Sequence, residues 1–176
     1  MKHEERITVV DILNPVDGYQ LSKLRDEPRR FLWIIPLQPR TIFKFQLNLE
    51  HPLTIVLSDG MRIQPDRHVA ETDGGSIPPL FRIFWTTTRW LLSFLFHDSG
   101  YLHHGLYFAG PDDTEFVFVK MPREAVDHLL YECIVYEGGG PSQRYPIFTA
   151  VSLFGQESWD KGPSFRPILP ILTKAP

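Results

Sequence analysis

The feature that most constrains the fold is a change of hydrophobic pattern halfway along the chain. The first half carries short runs of β-branched and aromatic residues, partly with apolar residues at alternate positions, as in strands with one buried face. Ser58-Asp59-Gly60 separates two such runs and predicts a β-hairpin. Segment 14–30, with two prolines and many charges, is interpreted as a loop or arm. The predicted strands are 6–13, 31–37, 41–49 and 53–57.

The second half carries apolar residues at helical spacing. Helices are predicted over 86–104, where Thr87 or Thr88 would cap the start, and over 121–140, where Pro122 suits the first turn and glycines end the helix. A third helix is predicted over 142–155, a loop over 111–118 and an extended proline-rich tail over 161–176. The sequence thus predicts an α+β fold, with N-terminal antiparallel strands followed by two or three packed helices. The predicted organisation is an extension over 1–30, one domain over 31–160 and the tail.

Composition narrows the class of protein. The chain has 176 residues, 43% of them hydrophobic, which suits one domain with its own core. The net charge of -3 shows no basic excess, so we expect no nucleic-acid partner. One cysteine, Cys133, excludes a disulfide scaffold. The N-terminus has no signal-peptide pattern and the apolar runs are too short to span a bilayer. We therefore expect a cytoplasmic or particle-bound protein.

The stretch FLFHDSGYLHHG, residues 94–105, places a histidine and a carboxylate at the end of an apolar helix. His97 and Asp98 are about 100° apart around a helix, so they face different targets. This geometry favours separate roles for the two residues, with His97 as general base and Asp98 as an oxygen ligand for a cation. Tyr101, one turn later, could hold a partner carboxylate. The structural alternative is that the pair only ends a helix.

A base histidine needs a group that fixes its tautomer. Asp127 lies among apolar residues of the second predicted helix, so its carboxylate needs a buried partner, and His97 is the first candidate. Glu132 is a second choice on a different face of that helix. The alternative is that Asp127 lies on the helix surface.

A third element is TDGGSIP, residues 72–78. Gly74 and Gly75 allow unusual backbone angles, and Asp73 adds a carboxylate, so the loop could present oxygens to calcium or amides to an oxyanion. A plain tight turn fits the same residues. His103 and His104 could bind a transition metal together with His97, or could be solvent-exposed.

Four motifs together resemble those of a family of bacteriophage and prophage proteins, domain-of-unknown-function family 1353. They are TDGGSIPPLF, FLFHDSGY, REAVDHLLYE and AVSLFGQESW, in the order and spacing of that family, within about residues 55–160. Gly75 and Val126 stand where the family usually has alanine. The resemblance implies a virion protein, of the tail or the head–tail connection, assembled in the host cytoplasm in many copies beside other virion proteins.

The same residues are similar, more distantly, to the active site of phospholipase A2. There an H-D-x-x-Y helix packs antiparallel to a helix with a second aspartate, and a glycine-rich calcium loop precedes both. The resemblance implies that His97 would activate a water, that Asp98 and the loop carbonyls of Asp73, Gly74 and Gly75 would hold calcium, and that Asp127 and Tyr101 would orient His97.

Three hypotheses follow for function. The first is a virion-associated structural protein whose hydrolase-like site is either still active or vestigial. The second is a calcium-dependent, phospholipase-like hydrolase acting on lipid or the cell envelope. The third, ranked last, is a metal-dependent phosphohydrolase of the His-Asp type, which needs a further histidine, for which His68 is the nearby candidate.

Overall fold

The computed structural model describes the backbone of residues 7–31, 35–66, 70–72 and 90–162, and the side chains of 7–23, 44–66 and 90–162. The α+β prediction is confirmed: antiparallel strands dominate the N-terminal half and helices follow. The predicted loop ligands Asp73, Gly74 and Gly75 lie outside the described residues, as do His68, both threonines proposed as caps and the tail beyond Gly162.

Five strands form the larger sheet, in the order β1-β4-β5-β7-β8. They are β1 (Val9–Leu13), β4 (Thr54–Leu57), β5 (Arg62–Gln64), β7 (Gly105–Ala109) and β8 (Val117–Lys120). The hairpin predicted at Ser58-Asp59-Gly60 joins β4 to β5, with Gly60 at φ 84°. A glycine suits this turn because a side chain is strained at positive φ. The loop predicted over 111–118 ends early, since β8 begins at Val117.

A long ribbon forms the smaller sheet, in the order β2-β3-β6. Its strands are β2 (Tyr19–Phe31), β3 (Ile35–Leu47) and β6 (Ala70–Thr72). The loop predicted for 14–30 is therefore wrong from Tyr19 onward. Charges and Pro28 hide the strand pattern, but among the described strands β2 lies at the edge of its sheet, where a proline without an N–H donor is tolerated. The boundary proposed at residue 30 falls inside this ribbon.

Four helices are described: α1 (Leu91–His103), α2 (Arg123–Tyr136), α3 (Pro141–Phe154) and α4 (Gln156–Asp160). The first three match the predicted helices, and α2 ends as predicted at the glycines, with Gly138 at φ 81°. His104, at φ 54°, ends α1 in a left-handed conformation, and β7 starts at the next residue. None of the described helices is long and apolar enough to cross a membrane.

Helix α1 lies between two apolar clusters. Leu95 and Phe96 pack into the first, which covers the sheets and includes Phe45, Ile55 and Leu106. The second cluster joins α1 to α2 and α3 and consists of Trp90, Phe94, Leu130, Ile134, Ile147 and Val151. Burial on both sides fixes α1 in position, so its polar residues are held at defined points between sheet and helices.

Candidate functional site

The site lies between α1 and α2, which run antiparallel. Ser93 contacts Glu137 near one end of the pair, and Tyr101 contacts Asp127 near the other. Gly100 allows the close approach, because a Cβ at this position would lie 2.7 Å from Val126 Cγ1. The helices therefore pack tightly enough for short polar side chains to meet between them.

His97, Tyr101 and Asp127 meet in this interface. Asp127 Oδ1 lies 3.1 Å from His97 Nε2 and accepts a hydrogen bond from the Tyr101 hydroxyl at 2.6 Å. The ring centroids of His97 and Tyr101 are 4.1 Å apart. The predicted pairing of His97 with Asp127 is thus present, and Tyr101 holds the same carboxylate. A carboxylate that accepts from Nε2 fixes the imidazole ring and leaves Nδ1 as its second polar atom.

Arg123 also joins the network, and sequence reasoning missed it. Its Nη1 lies 3.4 Å from Asp127 Oδ2 and donates to the backbone oxygens of Val151 at 3.3 Å and Ser152 at 3.0 Å. The guanidinium therefore links α2 to the end of α3 while it neutralises Asp127. Its spacing of four residues from Asp127 on a helix was the sequence signal for this pair.

The network is sealed from solvent. The side chains of His97 and Asp127 are 7% and 2% exposed. The Phe94 ring meets His97 edge-on, and Trp159 of α4 meets the Tyr101 ring edge-on, at centroid distances of 6.4 and 5.1 Å. A Cβ at Gly155 would lie 2.3 Å from the Tyr101 hydroxyl oxygen, so only glycine leaves room there.

The pKa of His97 reflects opposed effects. Burial lowers it, while the hydrogen bond to Asp127 and the nearby carboxylates of Asp127 and Asp98 raise it, and the net result is a pKa above the ordinary value of 6.5. The pKa of Tyr101 is raised by burial and by its bond to Asp127. Both shifts favour a protonated tyrosine and a cationic histidine around one carboxylate.

His97 Nδ1 faces the other predicted residue of the motif. It lies 3.6 Å from Asp98 Oδ1, and no group among the described residues accepts or donates a hydrogen bond to it. Asp98 is 19% exposed. Of the four residues that the phospholipase resemblance assigns to calcium, Asp98 alone lies within the described ranges. Its carboxylate is a hard oxygen donor suited to calcium, but one ligand does not make a site.

The three histidines of α1 and its cap have separate partners. His103 Nδ1 lies 3.7 Å from the buried Asp66, whose backbone N–H donates to the Ser99 hydroxyl at 2.8 Å. His104 stacks on Trp159, with Nε2 2.8 Å from its backbone oxygen. In the described part of the chain, no group of three or more His, Cys, Asp or Glu side chains is placed to hold a metal ion.

A further carboxylate, which is partly buried, lies at the other end of the helix pair. Glu137 accepts hydrogen bonds from the backbone N–H of Ser93 at 3.2 Å and from the Ser93 hydroxyl. Burial raises the pKa of Glu137, and the bonds from Ser93 oppose that rise. Burial also raises the pKa of Cys133 well above its ordinary value, which suits a small core residue and not a nucleophile.

The chain was compared with protein-family models, with curated proteins and with solved structures, and no significant match was found.

Proposed function

We propose that the chain is a structural component of a bacteriophage particle, in which the buried network around Asp127 holds the helices together and does no chemistry. The virion role is supported by the four motifs that resemble the phage family. The structural role of the network is supported by its contacts, because Asp127 joins His97 and Tyr101 of α1 to Arg123, which reaches α3.

The burial of the network carries this proposal. A general base must exchange a proton with water or substrate, so its free nitrogen needs access. His97 Nδ1 is fully buried, and the side chain as a whole is 7% exposed. Against the lowering by burial, the hydrogen bond to Asp127 and the carboxylate of Asp98 raise the pKa of His97 above its ordinary value, which favours the cationic form. A cation between two carboxylates is instead a stabilising arrangement, provided that all three charges stay paired.

One observation favours a second candidate, a hydrolase. Asp127 binds Nε2 and leaves Nδ1 without a hydrogen-bond partner among the described residues, which is how a base histidine is oriented. If an opening between the helices admits a water to Nδ1, His97 would take its proton while Asp127 stabilises the imidazolium. Calcium would be the cofactor, with Asp98 as one ligand.

Substitution of His97 by glutamine separates the two candidates. His128→Gln is the matched control, because it makes the same change on the exposed side of α2. If the network is structural, we expect His97→Gln to lower the free energy of unfolding and the control to leave it unchanged. The wild type should then release no fatty acid from phospholipid vesicles, either with calcium or with a chelator. Calcium-dependent release that His97→Gln abolishes without loss of stability would establish the hydrolase instead.

The virion role is tested on particles. Particles are purified from a phage or induced prophage whose genome encodes the chain. Quantitative mass spectrometry of these particles should find the chain at a fixed copy number per particle. Recovery of the chain only from the soluble lysate, with none in the particles, would refute the virion role.

A further inference from the structure

The outward side of α3 carries large apolar side chains. Tyr145, Thr149 and Leu153 follow one another at four-residue spacing, which places them on one side of the helix. All three are exposed, and the exposed fractions of Tyr145 and Leu153 are 54% and 68%. Phe148 borders the same side and is half-buried. These four residues are here called the α3 face, and none of the described elements covers it.

Further groups support the aromatic rings of the α3 face. The Tyr131 ring of α2 lies 5.8 Å from the Tyr145 ring and 5.6 Å from the Phe148 ring, measured between centroids. The Arg144 guanidinium lies 5.4 Å from the centroids of both tyrosine rings. This cation–π contact holds the Tyr145 ring in place. The face therefore presents a fixed aromatic surface, which is the kind that binds proline-rich segments in the polyproline II conformation.

The tail that follows Gly162 has a matching sequence. It reads PSFRPILPILTKAP, and Pro167 and Pro170 form a P-x-x-P motif. Polyproline II has three residues per turn, so the isoleucines and leucines that follow these prolines would form two apolar rows. Residues 145–154 of α3 and residues 167–173 of the tail contain no charged residue. Contact between them would bury no charge, which favours their association.

The tail also starts close to the C-terminal end of α3. Gly155, which directly follows α3, lies against the Tyr101 hydroxyl, and Gly162 lies against the Tyr101 backbone oxygen. The end of α3 and the start of the tail are thus separated by no more than one tyrosine residue. Leu153 lies at this end of the α3 face, so the face begins near the point where the tail begins.

The lengths agree with contact inside one chain. The α3 face is about 12 Å long from Tyr145 to Leu153 at the usual helical rise. In polyproline II, residues 167–172 span about 16 Å, which is enough to cover the face. Residues 163–166 have a reach of about 12 Å, and a helix with its side chains is about 10 Å across. These four residues can therefore turn the chain back from Gly162 onto α3.

We propose that residues 163–176 bind the α3 face of the same chain, with the P-x-x-P motif extended along Tyr145, Phe148 and Leu153. The tail and α3 then run antiparallel. The contact buries the apolar rows of the tail against the aromatic rings of the face, and it ties α3 to the segment that follows α4. This inference goes beyond the proposed function and does not depend on it.

Photo-crosslinking in the purified full chain tests the proposal. The photoreactive amino acid p-benzoylphenylalanine replaces Tyr145, which keeps an aromatic ring at this position. The matched control carries the same amino acid in place of Tyr136, which is 42% exposed and whose hydroxyl donates to Asp11 of β1. After irradiation, mass spectrometry of the digested monomer and dimer fractions identifies the cross-linked peptides. Circular dichroism checks that every variant is folded.

We expect the probe at position 145 to cross-link to residues 163–176 in a product that remains a monomer. The probe at position 136 should cross-link to β1 and not to the tail, which also shows that the photochemistry works. Ile168→Asp/Leu169→Asp places a charge in both apolar rows, so it should lower the initial rate of cross-linking from position 145 at least about fivefold. Ser164→Asp/Thr173→Asp adds the same charge outside residues 167–172 and should leave that rate unchanged.

A probe at position 145 that forms no cross-link to the tail, or that cross-links to another segment of the chain, would overturn the proposal. So would a covalent dimer as the main product, since the tail would then bind a second copy. Equal cross-linking rates for the two aspartate variants would overturn it as well, because the contact would not depend on the motif. Mass spectrometry of particles is independent of these results, so failure here leaves the virion role to be judged separately.

Discussion

Replacement of Asp127 by alanine is the sharpest test of the buried network. Asp127 satisfies His97 Nε2 at 3.1 Å and the Tyr101 hydroxyl at 2.6 Å, and it balances Arg123 at 3.4 Å. Removal leaves the Tyr101 hydroxyl without its acceptor and leaves the positive charges of His97 and Arg123 without this carboxylate. The stranded neutral donor costs about 1–3 kcal/mol, and breaking a buried ion pair costs about 3–5 kcal/mol, with overlap between these terms. We expect a total loss of about 3–5 kcal/mol in the free energy of unfolding.

Urea unfolding followed by circular dichroism measures this loss. An unchanged slope with urea would show that the unfolded state is not altered. For a chain of this size the loss corresponds to a decrease of roughly 6–20 °C in Tm. Glu124→Ala is the control, because Glu124 is on the same helix with a side chain that is 76% exposed, and we expect a change within about 0.5 kcal/mol. Asp127→Asn should fall between the two, since its oxygen still accepts from His97 and Tyr101 but no longer balances Arg123. A loss below about 1 kcal/mol for Asp127→Ala would refute the reasoning.

Three further predictions concern neighbouring residues. Because the folded-state pKa of His97 is raised, the contribution of His97 to the free energy of unfolding is fully present below about pH 6.5 and is lost as pH rises through that folded pKa. Urea unfolding as a function of pH should show this decrease in stability, and His97→Gln should abolish the pH dependence. A stability that rises with pH over the same range would contradict the prediction. Gly155→Val should lower the free energy of unfolding by about 1–3 kcal/mol, because the new side chain forces Tyr101 away from Asp127. A Tm equal to that of the wild type would contradict this, since it would show that the structure around residue 155 accommodates the larger side chain. Glu137→Ala should lower the free energy of unfolding by about 0.5–2 kcal/mol, because the N–H of Ser93 loses its acceptor near the start of α1. Amide hydrogen exchange should become faster in the first turn of α1. Unchanged exchange in that turn would contradict the capping role of Glu137.

Local pattern was enough for the helices and for the central pair of the site. The helical spacing around His97 and Asp127 predicted α1 and α2, and the need of a buried carboxylate for a partner predicted their contact. Strand β2 was missed because its charged residues obscure the alternation of apolar and polar positions. Its pairing with β3 also depends on tertiary structure, which the local pattern does not show. Strand β7 was missed because a left-handed histidine, His104, ends the helix without a glycine.

The rest of the site depends on elements that are distant in sequence. Arg123 shows its i, i+4 spacing to Asp127, but its anchoring to Val151 and Ser152 requires the position of α3. The closure over Tyr101 by Trp159 likewise depends on how α4 folds back. Burial of Nδ1, which favours a structural cation over a base, could not be read from the motif.

The carboxylate of Glu137 has a consequence for how the chain folds. The cap residue of α1, Trp90, makes no side-chain cap bond, and the first turn of the helix has no acidic residue. The acceptor for that turn comes instead from the end of α2, 44 positions later in sequence. A helix of 13 residues is marginal by itself in water. Helix α1 should therefore form only as α2 docks against it, and we expect the two helices to form and open in a single cooperative step.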